Sequence, residues 1–193
     1  MAEEYSSVMK NRTWDLVSLP KGRKLVQCKW VYRTKYAADG SIDKYKARLV
    51  AKGFLQVEGI DYSETYAPVA KMNSIHLVLS LVASQHWSVY QMDVKSAFLH
   101  GDLHEEIYME QPPGFVQDSS LVCRLRRSLY GLKQAPRAWY EKMDNFLLSI
   151  DFARCHSDPT VYIQKEGTDL LILVLYVDDL ILTGSSSSMI QSV

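Results

Sequence analysis

Disulfide and zinc chemistry are the first things this sequence lacks. Its three cysteines, Cys28, Cys123 and Cys155, are odd in number, far apart and free of any C-x-x-C pair, so neither a bonded framework nor a metal knuckle is indicated. Long apolar runs are missing too: the longest, Leu170 to Val177, is less than half of the roughly 20 residues a membrane helix needs. The opening MAEEYSSVMK has no signal-peptide pattern, which sets the expectation of an intracellular protein without a membrane partner. Under that expectation the sequon Asn11-Arg12-Thr13 goes unused. His100 and His104 have a helical metal spacing, but Gly101 lies between them and no acidic or thiol partner stands at a matching interval, so they read as solvated. No internal repeat is present, and low complexity is confined to the serines at 185–188.

Net charge is also absent, with 22 Lys+Arg against 22 Asp+Glu, yet the charges are sorted along the chain. Residues 21–52 carry ten cations and two acids, and residues 121–142 carry six and one. The stretches 53–120 and 143–193 reverse the balance, with two cations each against nine and seven acids. Cationic blocks flanking acidic ones suit a protein that grips a polyanion and gathers divalent metal. Solvated faces of a neutral protein account for the same pattern.

With 47% hydrophobic residues the chain can bury a core, and its element pattern is α+β with a mainly antiparallel sheet and packed helices. AEEYSSVMKN reads as a short helix and TWDLVSLP as a strand. Residues 27–54 form two β-rich runs around Asp39-Gly40, a strong turn signal, and expose Lys29, Arg33, Lys35, Lys44, Lys46, Arg48 and Lys52. NSIHLVLSLVASQH, capped by Asn73 or Ser74, places apolar residues at 75, 78, 79, 82 and 83 on one core-facing stripe. WSVYQMDV follows as a strand ending at Asp93. LVCRLRRSLYG is a strand running into a turn closed by Gly131. APRAWYEKMDNFLLSI is a helix with Pro136 in its first turn and Trp139, Met143, Phe146, Leu147 and Ile150 on one face. PTVYIQKEGTDLLILVLYVDDLILTG supplies three strands turned at Glu166-Gly167 and at Asp178-Asp179.

Those two aspartates interrupt an apolar run, and no Lys or Arg follows Lys165 to neutralise them. An unpaired carboxylate must be exposed, paired or given a cation. The spacing leaves two readings: Val177-Asp178-Asp179-Leu180 is an exposed hairpin turn, or the pair joins Asp93 to form a hard oxygen site for two divalent ions.

QMDVKSAFLHGDLHEEIYMEQPPGF, SLYGLKQAPRAWY and LYVDDLILTG, in that order, resemble the reverse transcriptase of copia-type long-terminal-repeat retrotransposons. NRTWDLVSLP, KARLVAKGF and DYSETYAPVA extend the resemblance over nearly the whole chain. It implies the fingers and partial palm of a right-hand polymerase, with fingers mainly in 11–70 and part of 115–140, and palm mainly in 71–114 and 141–193. The implied activity is DNA synthesis on an RNA or DNA template with primer, dNTP and two Mg²⁺ ions, for which Mn²⁺ is a substitute. Asp93, Asp178 and Asp179 are the implied catalytic carboxylates: Asp93 and Asp178 bridge the metals, the Val94 carbonyl assists, and Asp179 is more peripheral.

Phe98 matches the bulky residue beneath the incoming sugar that excludes a 2′-hydroxyl, with a plain core Phe as the alternative. Gly131 matches a glycine that lets template or nucleotide approach the backbone. Lys133 and Gln134 are expected nucleic-acid contacts, and Lys35 and Arg48 are the candidates for the triphosphate, with Lys46 competing for the place of Arg48. His76, Asp151 and Cys155 depart from the family pattern; Asp151 stands where glycine commonly supplies a left-handed turn after a helix. The resemblance also implies a piece of a Pol polyprotein whose thumb and ribonuclease H regions lie outside these residues, acting in a cytoplasmic particle or the nucleus. Two functional readings stay open: a polymerase module, and a catalytically inactive remnant that keeps the fold and at most binds nucleic acid.

Overall fold

The computed structural model describes residues 1–193, and the chain divides into two compact units. In chain order the helices are α1 (Ala2–Lys10), α2 (Met72–Gln85), α3 (Ala135–Ser149) and α4 (Ser187–Ser192). The strands are β1 (Trp14–Ser18), β2 (Leu25–Val26), β3 (Cys28–Tyr36), β4 (Ile42–Ala51), β5 (Val89–Asp93), β6 (Tyr108–Met109), β7 (Leu121–Leu125), β8 (Ala153–Arg154), β9 (Val161–Glu166), β10 (Asp169–Tyr176) and β11 (Asp179–Gly184). The architecture is α+β, and no helix is long and apolar enough to cross a membrane.

The first unit comprises Met1–Tyr66 and Phe98–Trp139. Residues 98–114, grouped with 71–97 in the sequence reading, therefore fall in this unit. Its four-stranded sheet runs β1-β7-β6-β2, parallel only between β2 and β6. A separate ribbon pairs β3 with β4 through the expected turn, where the Asp39 carboxylate accepts from the backbone and hydroxyl of Ser41 and Gly40 takes a φ of +82°. Only the base of the ribbon reaches the core: Cys28, Leu49 and Ala51 pack with Val8, Leu99, Met109 and Cys123. Burial pushes the Cys28 and Cys123 thiols up to about 11 and about 12, which makes them inert packing residues.

The second unit comprises Ala67–Ala97 and Tyr140–Val193, around an antiparallel sheet of order β5-β11-β10-β9-β8. Strand β10 is buried on both faces. Leu171, Leu173 and Leu175 join Leu180, Leu182 and Leu147, while Ile172 and Val174 join Val78 and Val82 of α2. This explains why LLILVLY reads as an unbroken apolar run rather than an alternation.

The α2 stripe is narrower than expected: Val78 and Val82 are buried and Ile75 and Leu81 half-buried, whereas Leu79 and Ala83 face solvent. Neither Asn73 nor Ser74 caps the helix with its own side chain; Lys71 is the cap residue. The Asp158 carboxylate replaces that cap, accepting from the Lys71 amide and the Ser74 hydroxyl while also binding Thr160. Burial raises the Asp158 carboxyl, but these donors outweigh it and the net shift is downward. In α3, Phe146 is exposed, so the buried face rests on Trp139 and Leu147.

The chain leaves α3 through Asp151 at φ +66°, the left-handed position inferred from sequence. Asp tolerates this conformation less well than glycine. Asp151→Gly is expected to stabilise the chain by about 0.5–1 kcal/mol, read as an upward shift of the urea midpoint at unchanged m-value. An unchanged midpoint would show that the position carries no strain.

Candidate active site

Strand β11 lies between β10 and β5, and its register decides what meets at one end of the sheet. Asp179 pairs directly with Asp93, and the Val94 amide donates to the Asp178 carbonyl at 2.8 Å. The hairpin turn is Val177-Asp178, one residue earlier than expected, because Tyr176 pairs with Asp179 and Asp179 already belongs to β11. Val177 has a φ of +56°, unfavourable for a β-branched residue, so the turn stores strain beside the carboxylates. The Gln91 amide donates to Asp179 Oδ1 at 3.2 Å, a contact that the sequence gave no reason to single out.

The expected neighbours are therefore brought together in backbone: Asp93 and Asp179 face each other across adjacent strands, and Asp178 sits on the turn between β10 and β11. Like charges directly opposite in a sheet repel, and a bound cation offsets that cost. No group of three His, Cys, Asp or Glu side chains is arranged to hold a metal ion. In donor chemistry the set fits Mg²⁺, a hard ion that takes carboxylate and carbonyl oxygens and keeps water and phosphate ligands. All five residues of β5, Asp93 included, are solvent-exposed, and Asp178 and Asp179 are half-exposed.

The remaining candidates lie in the first unit. Lys35 is exposed on β3, and Lys46 and Arg48 are half-buried on β4. Arg48 stacks its guanidinium over Tyr130 at 4.9 Å, and Phe98 meets the same ring edge-on at 5.0 Å. Tyr130 thus joins two sequence candidates, and only its place beside Gly131 in SLYGLKQAP hinted at this. Phe98 also packs on the core, so the core and sugar-facing readings are not exclusive. Lys46 and Arg48 share the field of Glu4 in α1, whose carboxyl burial pushes upward against a Leu49 amide bond and the two cations.

Gly131 has a φ of +89°, but what approaches its backbone is β4: an added Cβ would lie 2.2 Å from the Ala51 carbonyl oxygen and 2.6 Å from Val50 Cγ1. The glycine is thus required by the chain itself, not only by a ligand. Gln134, expected as a nucleic-acid contact, is fully buried; its amide bonds Gln56 at 3.0 Å and the Asp61 carbonyl at 3.0 Å, tying the 56–61 loop to the start of α3. Lys133 is exposed and donates to the Tyr62 hydroxyl at 3.2 Å.

Comparison with known proteins bears on these residues as a set. Residues 11–193 match the family model for reverse transcriptase (RNA-dependent DNA polymerase). The chain is 51% identical to the retrovirus-related Pol polyprotein from transposon TNT 1-94 of Nicotiana tabacum, over 98% of this chain and 14% of that protein. It is 44% identical to the Pol polyprotein from transposon RE1 of Arabidopsis thaliana, over 100% of this chain and 13% of the relative. The transposon Ty1-ER2 Gag-Pol polyprotein of Saccharomyces cerevisiae is 31% identical over 93% of this chain and 10% of its own length. The chain thus spans about a seventh, or less, of the polyproteins it matches.

Replacing Gly131 tests the close approach at β4. Gly131→Ala is expected to destabilise by about 2–4 kcal/mol, from left-handed strain and overlap with Ala51. A denaturant midpoint within error of the parent would refute the geometry.

Proposed function

The chain belongs to the reverse transcriptase (RNA-dependent DNA polymerase) family as part of a copia-type Pol polyprotein, and from that premise we propose that it forms the fingers and palm of an RNA-directed DNA polymerase. In this reading the first unit supplies the fingers residues and the second the palm residues. The observation that carries it is the register that sets Asp93 opposite Asp179 beside a turn bearing Asp178.

Asp93 and Asp178 would hold the metals, with the Val94 carbonyl as a further oxygen donor. Asp179, hydrogen-bonded to Gln91, is the peripheral member. When bound, two Mg²⁺ ions supply activation of a primer 3′-hydroxyl and charge stabilisation at the leaving phosphate oxygen. The template with its primer, and dNTP, are the partners of this activity. Lys35 and Arg48, with Lys46 beside them, neutralise the triphosphate, and Arg48 is pre-oriented by Tyr130. Phe98, fixed between core and Tyr130, presents a rigid edge to the sugar and excludes a 2′-hydroxyl by sterics. Lys133 is the exposed cation of the neighbouring loop and contacts nucleic acid.

A second reading is an inactive remnant that keeps the fold and at most binds nucleic acid. Primer extension separates the two. With an RNA template, a DNA primer and Mg²⁺ or Mn²⁺, the 193-residue chain is expected to add nucleotides and Asp178→Asn to fall to background. No extension by the parent chain, with nucleic-acid binding retained, would favour the remnant.

The cations have their own test. Lys35→Ala with Arg48→Ala is expected to weaken dNTP and template binding and to flatten the salt dependence by about 1–2 in the slope of log K against log salt. An unchanged slope would return both residues to a solvated face.

A further inference from the structure

The register of the β3–β4 ribbon sorts its side chains more sharply than binding a triphosphate requires. Val31 pairs with Arg48, Arg33 with Lys46 and Lys35 with Lys44, so six cations, Lys29, Arg33, Lys35, Lys44, Lys46 and Arg48, share one face. Alternation puts the intervening residues on the other face. Near the core that second face is covered, with Trp30 and Leu49 packed inward. Towards the tip it is open: Tyr32, whose hydroxyl donates to the Met1 sulfur, and Tyr36 are each 66% exposed, Tyr45 is 77% exposed, and Ile42, paired with Tyr36 by a register shift after Lys35, is 52% exposed. The three tyrosines are the largest side chains of the tip, and Thr34, between Tyr32 and Tyr36 on the same strand, is uncharged.

Exposed aromatics in such density mark a binding surface. The partner is selected by what surrounds them. Along both strands each exposed tyrosine is flanked by a Lys or Arg one residue away, as in Tyr32-Arg33, Lys35-Tyr36 and Lys44-Tyr45-Lys46. A two-stranded ribbon is one backbone thick, so flexible Lys and Arg stems from the opposite face reach both of its edges. A ligand on the tyrosine face therefore meets flat π surfaces in the middle and positive charge at the margins. Single-stranded nucleic acid matches that layout, offering unpaired base faces between two lines of approach to its phosphates. A duplex hides its base faces and does not.

We propose that the outer half of the β3–β4 ribbon is a base-stacking platform for single-stranded template, with Tyr36 and Tyr45 as its principal rings. The proposal rests on the polymerase reading for its ligand, but on different residues from those assigned to the triphosphate. Stacking of this kind is tolerant of sequence, as a template strand requires.

The test is fluorescence anisotropy of a labelled single-stranded RNA, and of the same sequence as a duplex, on the 193-residue chain. Tyr36→Ser with Tyr45→Ser is expected to weaken single-strand binding by about tenfold or more per ring, with little effect on duplex. The salt slope should stay unchanged, because no phosphate contact is lost. Tyr36→Phe with Tyr45→Phe should bind as the parent does, which separates loss of the rings from any fault in folding. Single-strand binding unaltered by the serine pair would overturn the platform. So would a parent chain that sediments as a dimer and becomes monomeric in the serine pair with binding intact, since the patch would then face a second copy. Failure of the polymerase reading would look different: the parent chain would not extend a primer, while the tyrosine result stood on its own.

Discussion

The candidate site depends on one constraint, the register between β11 and its two neighbours. Side chains in a strand alternate, so a slip of one residue would turn Asp179 to the opposite face and carry Leu180 and Leu182 out of the core. Leu180 and Leu182 are buried with Leu171, Leu173 and Leu175 on one face, while Ile181 packs with Ile172 and Val174 on the other. Two apolar layers therefore hold the register that brings Asp179 level with Asp93. The repulsion between those carboxylates is sustained by hydrophobic burial several residues away, and the strained Val177 turn is held by the same pairing.

The first unit has a comparable constraint made of backbone rather than side chains. An added Cβ on Gly53 would lie 2.0 Å from the Gly131 carbonyl oxygen, and one on Gly131 would overlap Ala51. The Ala51 amide donates to the Tyr130 carbonyl at 2.7 Å. Two glycines thus let the base of the ribbon and the 128–134 loop meet at backbone distance, which sets Tyr130 between Arg48 and Phe98. Gln134 completes the junction from inside, spending its amide on Gln56 and Asp61.

Much of this was legible in the sequence where local chemistry decides it. The Asp39-Gly40 turn, the apolar run of β10, the Gly131 turn and the left-handed Asp151 all follow from residues within a few positions of one another. What escaped was set by distant partners. Asp158 caps α2 from 87 residues beyond Lys71, so no nearby Ser or Asn signalled it. Leu79 and Ala83 satisfy a helical period yet lie outside the stripe that the sheet covers. Gln134 sits in a motif rich in exposed polar residues, and only the fold reveals that its amide is buried. The turn at Val177-Asp178 was displaced by one residue because pairing with β5 extends β11 to Asp179.

Like-charge pairs of opposite sign concentrate the unfavourable electrostatics in two places. Asp93 opposes Asp179 in one unit, and Arg33 opposes Lys46 and Lys35 opposes Lys44 in the other. Each directly opposed pair costs a fraction of about 1 kcal/mol in an exposed sheet, and none is needed to hold the core. Cores here are closed by Leu, Val and Met, whose packing is indifferent to those charges. A fold optimised only for stability would separate such pairs. A cation between the aspartates and an anion along the ribbon would each offset the local cost, so the two pairs are the places where a ligand of opposite charge would gain most.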